Sequence, residues 1–186
     1  MNRTMRYLAG LLLLMVMSCG PTESVPLDEG WVAWESGSYA EAHAKFTEAG
    51  GAEGLNGLGW TTLKMDSLSK SEVYFALASV GGTDTLTDAA AGLAIVAWQQ
   101  GDHQISLDAA GYVLRVEPNY VFSHDATITK ELIILAKAYD EYHLLQYANC
   151  IASIQLLDAT FSHTANEAGI AQTLLDKLDA LSQTGS

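Results

Sequence analysis

Three adjacent residues, Ser123, His124 and Asp125, supply the side-chain types of a nucleophile, a general base and its orienting carboxylate. As sequence neighbours they do not converge. Adjacent helical positions face different directions, and acyl transfer needs the three groups within hydrogen-bond reach. The stretch reads instead as a helix start, where Ser or Asp caps free N–H groups. The histidines His43, His103, His124, His143 and His163 are scattered singly. No His-x-x-x-His pair puts two imidazoles on one helical face, so no metal and no other cofactor is expected. Gly54, Gly57 and Gly59 form a glycine-rich run without the Lys-Ser/Thr of a phosphate loop, and close helix packing explains it better. Asp84 and Asp88 lack the spacing of a calcium loop and suit a helix start, where carboxylates meet the positive end of the dipole. The chain is not expected to be an enzyme.

The remaining candidates are aromatic. Trp31, Trp34, Trp60, Trp98 and Tyr139 offer flat apolar area with N–H or O–H groups, a composition found at binding hot spots. The elements that position them must be helices. Pro118 is the only proline after Pro26, alanine and leucine abound, and apolar residues recur at three- and four-residue spacing. Internal echoes divide these helices into pairs. Ala33-Trp34-Glu35-Ser36-Gly37 returns as Ala97-Trp98-Gln99-Gln100-Gly101, and Gly30-Trp31 returns as Gly59-Trp60. Ser38 with Glu41, Ser69 with Glu72 and Thr164 with Glu167 carry the capping-box pattern, and Asp102 serves as a further cap. Such similarity at a fixed period is the signature of a helical repeat array.

Residues Gly30, Gly37 to Ala42, Phe46 and Ala49 resemble one unit of the tetratricopeptide repeat (TPR) family. Leu58-Gly59, Phe75 and Ala78 give a second copy, and Leu93, Ala97-Trp98, Gly101-Asp102, Ala110, Val113 and Pro118 a third. A fourth, from about Ile128 to Leu157, keeps Ala138-Tyr139 and the apolar rhythm. The resemblance implies an all-α, short right-handed solenoid of antiparallel helix pairs, about four degenerate repeats plus a C-terminal capping helix, over residues 28–183. It also implies that first helices line a concave groove for a partner segment. Trp31 with Trp60, and Trp34 with Trp98 and Tyr139, are expected to form an aromatic column there, with Lys64 and Gln99 hydrogen-bonding a bound backbone. Core packing between helices is the competing role for the same rings.

Ahead of this region, Arg3 and Arg6 precede an apolar run over 7–17 that is too short to cross about 30 Å of hydrocarbon. Ser18-Cys19 at its end resembles the lipobox of bacterial lipoproteins. That resemblance implies a signal peptide over 1–18, an acylated Cys19 and a tether over 19–27; an ordinary secretory signal is the alternative. Loss of Arg3 and Arg6 would reduce nine Lys and Arg to seven, against 22 Asp and Glu. That balance excludes nucleic acid as a partner and favours a protein or peptide carrying basic residues. With Cys19 acylated, Cys150 stands alone and reads as a small buried hydrophobe.

The expected function is therefore a non-enzymatic scaffold in the bacterial envelope, anchored by lipid at the outer membrane and facing the periplasm. The alternative is a small-ligand lipoprotein that stacks a sugar or similar solute on the aromatic groove.

Overall fold

The computed structural model describes residues 24–81 and 85–184; the expected signal segment, Cys19 and Asp84 lie outside the described residues. Helices α1 (Ser24–Glu35), α2 (Tyr39–Ala49), α3 (Gly51–Lys64), α4 (Leu68–Gly81), α5 (Thr85–Gln100), α6 (His103–Val116), α7 (Lys130–His143), α8 (Tyr147–Leu157) and α9 (Ile170–Thr184) follow in order. Among the described residues there is no strand, only an isolated antiparallel bridge between Val121 and Thr129. Each helix packs on its successor to form four pairs in a repeat-like all-α stack, and α9 packs on both α7 and α8. Helix α1 opens at Ser24, inside the segment expected to be tether. Pro26 falls in its first turn, where an absent N–H costs no intrahelical bond.

The first helix of every pair ends in the same way. The N–H groups of Gly37 and Ser38 donate to the carbonyls of Trp34 and Ala33, and three further turns copy this pattern. They are Asp66-Ser67 onto Leu63 and Thr62, Gly101-Asp102 onto Trp98 and Ala97, and Leu145-Gln146 onto Tyr142 and Glu141. These double bonds satisfy the last orphan carbonyls of the helix and require one left-handed residue. Those residues are Gly37 (φ 80°), Asp66 (56°), Gly101 (81°) and Leu145 (60°). Aligned on them, Tyr139 matches Trp31 and Trp60, while Tyr142 matches Trp34 and Trp98; this corrects the expected grouping of Tyr139 with Trp34.

Leu145 is the costly member of the set, because a Cβ in the left-handed region is strained by about 1–2 kcal/mol. Its side chain is 71% exposed, so little burial offsets that strain. Leu145→Gly is expected to raise stability by up to ~1 kcal/mol, since the unfolded chain gains freedom that cancels part of the relief. A higher urea midpoint at unchanged slope would report it.

The same alignment gives the second helices one docking register. Ser71 donates to the carbonyl of Gly59 at 2.8 Å, and Ser106 to that of Ala94 at 2.8 Å. Ala42 and Cys150, both fully buried, fill the matching places in the first and fourth pairs. Cys150 is therefore a packing residue, and burial pushes its thiol up to about 12. Phe46 lies against Gly30 and Gly57, and Phe75 against Gly59 and Gly92, so each ring wedges between its own pair and the next. One core cluster runs from Ala33 to Ile133, and a second joins Leu135, Cys150, Ile154, Leu174 and Leu178 across α7 to α9.

The expected capping boxes form differently. Ser38 and Asp102 occupy the N-caps of α2 and α6 without a side-chain cap bond. Ser69 lies inside α4 and hydrogen-bonds to Gln100 at 3.4 Å, and Glu72 accepts from Gln100 at 2.8 Å. The Thr164 N–H does donate to Glu167 at 2.6 Å, but in a turn ahead of α9.

Candidate functional site

Helices α1, α3 and α5 hold the four tryptophans singled out above and α7 holds Tyr139, and one segment of the chain is laid across α1, α3 and α5. The connection from α6 to α7, residues 117–129, is much longer than the one- to three-residue turns that join the other consecutive helices up to α8, where those turns are described. It folds back on itself: Phe122 N–H donates to Ile128 O at 2.9 Å, and Lys130 N–H to Tyr120 O at 2.8 Å. Asp125 accepts from the Thr127 N–H at 3.0 Å and from its hydroxyl at 2.6 Å. These bonds fold the segment into a hairpin, and it reaches α1, α3 and α5 with side chains; we call it the strap.

Phe122 is fully buried at its centre. The ring stacks on Trp60 with centroids 4.3 Å apart and planes at 21°. It meets Trp31 and Trp34 edge-on at 5.8 and 5.9 Å. His124 lies flat on Trp31 at 3.8 Å and bonds Glu35 at 2.8 Å. Lys64 donates to Asp125 at 2.9 Å and sits over the Trp34 ring at 5.3 Å. Tyr120 donates to Asp88 at 2.8 Å on α5.

The charges respond to these contacts. Burial raises the Asp88 carboxyl above its ordinary value, and burial together with Asp88 drives the Tyr120 phenol well up. The Tyr120 phenol therefore keeps its proton at neutral pH and is the donor of the pair. At Asp125, partial burial works upward, but hydrogen bonds from Thr127 and Lys64 outweigh it and hold the carboxyl below its ordinary value.

Trp31, Trp34, Trp60 and Lys64 are brought together, as the expected groove requires, yet Trp60 is fully buried and Trp34 is 4% exposed. Two indole N–H groups, of Trp34 and Trp60, are buried without an acceptor among the described residues. Trp98 and Tyr139 form a separate half-exposed pair at 5.5 Å, and Tyr139 donates to Asp179 of α9 at 2.8 Å. Gln99 is exposed. Aligned on the left-handed turns, Glu35, Lys64 and Gln99 hold one position in successive units. The first two bind the strap, and Gln99 continues their row.

Ser123-His124-Asp125 is no helix start: α7 begins at Lys130, with Thr129 at its N-cap. Ser123 points to solvent, whereas His124 and Asp125 reach different helices, so the three do not converge. The strap residues Tyr120, Phe122, His124 and Asp125, with their partners Glu35 and Asp88, are absent from the expected site. The available signal was the alternation Tyr120-Val121-Phe122 after Pro118, which has the period of an extended segment.

Other polar clusters serve helix packing. His103 bonds the fully buried Asp140 at 2.9 Å between α6 and α7 and stacks on His143 at 4.2 Å. Burial raises the Asp140 carboxyl, and burial with the nearby His103 lowers His143. Lys137, Glu141 and Ser153 link α7 to α8. Among the described residues, no three His, Cys, Asp or Glu side chains are grouped as a metal ion would require. Compared with known proteins, the chain matches no family model and none of the curated sequences.

Proposed function

We propose that this chain is a non-enzymatic, TPR-like interaction module of the bacterial envelope, anchored by lipid on Cys19, whose first helices receive a segment of a partner protein. One observation carries the reading. The face made by α1, α3 and α5 accepts side chains from a self-folded segment, with a ring held among three tryptophans and flanking charges on Glu35 and Lys64. A surface that holds one such segment by side chains alone has the chemistry to hold another.

The anchor rests on the lipobox resemblance at Cys19. Among the described residues no helix is long and apolar enough to span a membrane, so attachment in this reading falls to the acyl chains. The excess of carboxylates favours partners with basic residues and speeds their encounter at low salt.

In-cell photocrosslinking tests the reading. A photoreactive residue at exposed Gln99 is expected to trap a discrete partner, whereas one at Leu156 on α8, 70% exposed, is not. Yield should fall as ionic strength rises. Absence of any adduct at Gln99, with Cys19 unmodified by mass spectrometry, would remove both halves of the proposal.

A further inference from the structure

We infer that the strap is an internal stand-in for the partner segment, so that the groove is closed by its own chain and opens to a segment of matching chemistry. That chemistry is an aromatic ring followed, three residues on, by a carboxylate. This inference rests on the interaction-module reading and adds its regulation and the class of segment recognised.

Four observations support it. The strap is an insertion, for the interval between left-handed turns is widest from Gly101 to Leu145, where it lies. Asn119 at its edge accepts from Lys130 at the start of α7, but the side chains at its centre bond residues far away in sequence, Glu35, Lys64 and Asp88. Its backbone bonds stay within the strap and the adjoining ends of α6 and α7, none reaching α1, α3 or α5, so lifting it from those helices breaks side-chain contacts and leaves the hairpin intact. Finally, the Trp34 and Trp60 indole N–H groups, on rings that touch Phe122, are buried without acceptors among the described residues. Buried donors in that state are costly, so a segment that brought a carbonyl to them would gain a hydrogen bond that the strap does not make.

The consequence is a population effect. Partner affinity is reduced by the fraction of molecules with the strap lifted. His124 and Asp125 hold the strap by two hydrogen bonds at its rim, and neither residue belongs to the receiving helices. Removing both weakens closure while leaving Glu35, Lys64 and the tryptophans in place. Two hydrogen bonds of ordinary strength shift such an equilibrium by about tenfold or more.

The test uses the full chain and a synthetic peptide of residues 119–129, read by the protein's tryptophan fluorescence, since the peptide contains no tryptophan. The peptide is expected to bind His124→Ala/Asp125→Asn about tenfold more tightly than the unaltered protein. A peptide carrying Phe122→Ala should not bind, and one carrying Asp125→Asn should bind several-fold more weakly. Equal affinity for both proteins, or no binding to a variant that circular dichroism shows to be helical, would overturn the inference. Should the double variant fail to fold, Asp125→Asn alone is read by the same criteria. A partner trapped at Gln99 whose yield is indifferent to the strap variants sinks the inference and spares the proposed function. Tight peptide binding without any cellular adduct does the reverse.

Discussion

Phe122→Ala is expected to destabilise the protein by about 3–5 kcal/mol, the cost of emptying a fully buried aromatic site. In a chain of this size that lowers Tm by roughly 10 °C. The ring contacts three tryptophans at once, so its loss also admits water to Trp60 and Trp34. A red shift in tryptophan emission and stronger quenching by acrylamide should accompany the fall in Tm. The neighbouring Val121 is 51% exposed, and its truncation is expected to stay within about 0.5 kcal/mol. Equal effects at the two positions would mean that the strap is not packed as described. The contrast matters for function, because it places the strap's hold on the groove in one ring and leaves the rim charges as its adjustable part.

The second large effect concerns glycine. A Cβ at Gly92 would fall 2.2 Å from Phe75 Cζ, and one at Gly57 would fall 2.4 Å from Phe46 Cδ1. Real Cβ atoms do not approach so closely, so the ring or the helix must move. Gly92→Ala is expected to destabilise by about 1–3 kcal/mol net, because overpacking outweighs the ~1 kcal/mol by which alanine favours a helix. Gly111 lies within α6 and has nothing within 4 Å of an added Cβ. There the same substitution should stabilise by about 0.5–1 kcal/mol. Chemical denaturation of the two variants should therefore give shifts of opposite sign. Phe75→Leu combined with Gly92→Ala should cost less than the two changes summed, since the shorter side chain yields the space that alanine takes. Additive losses would show that Phe75 is not the wedge between the second and third pairs.

Much of the architecture is legible in the sequence. Apolar spacing implied helices, and the echo of Trp34 to Gly37 in Trp98 to Gly101 implied paired units with common turns. Two of the four turns were visible because glycine occupies the left-handed position. The other two were hidden, since Asp66 and Leu145 carry the same conformation without the residue that advertises it. That concealment is what displaced Tyr139 from its true alignment with Trp31 and Trp60. The recurrent small position was also obscured, because Ala42, Ser71, Ser106 and Cys150 share size and burial but no common chemistry.

The gathering of Trp31, Trp34, Trp60 and Lys64 followed from repeat spacing, because equivalent positions on stacked helices must share a face. Which side chains cover that face did not follow. Helical periodicity is local and is written in residues three and four apart. The pairing of His124 with Glu35 spans 89 positions and that of Asp125 with Lys64 spans 61. Contacts of that separation depend on where a long connection folds back, which its own residues do not encode. The sequence by itself determined the helices, their pairing and their inward aromatic face. Only the tertiary structure decided that the chain closes this face itself, because burying Phe122 among three tryptophans requires the stacked helices to exist first.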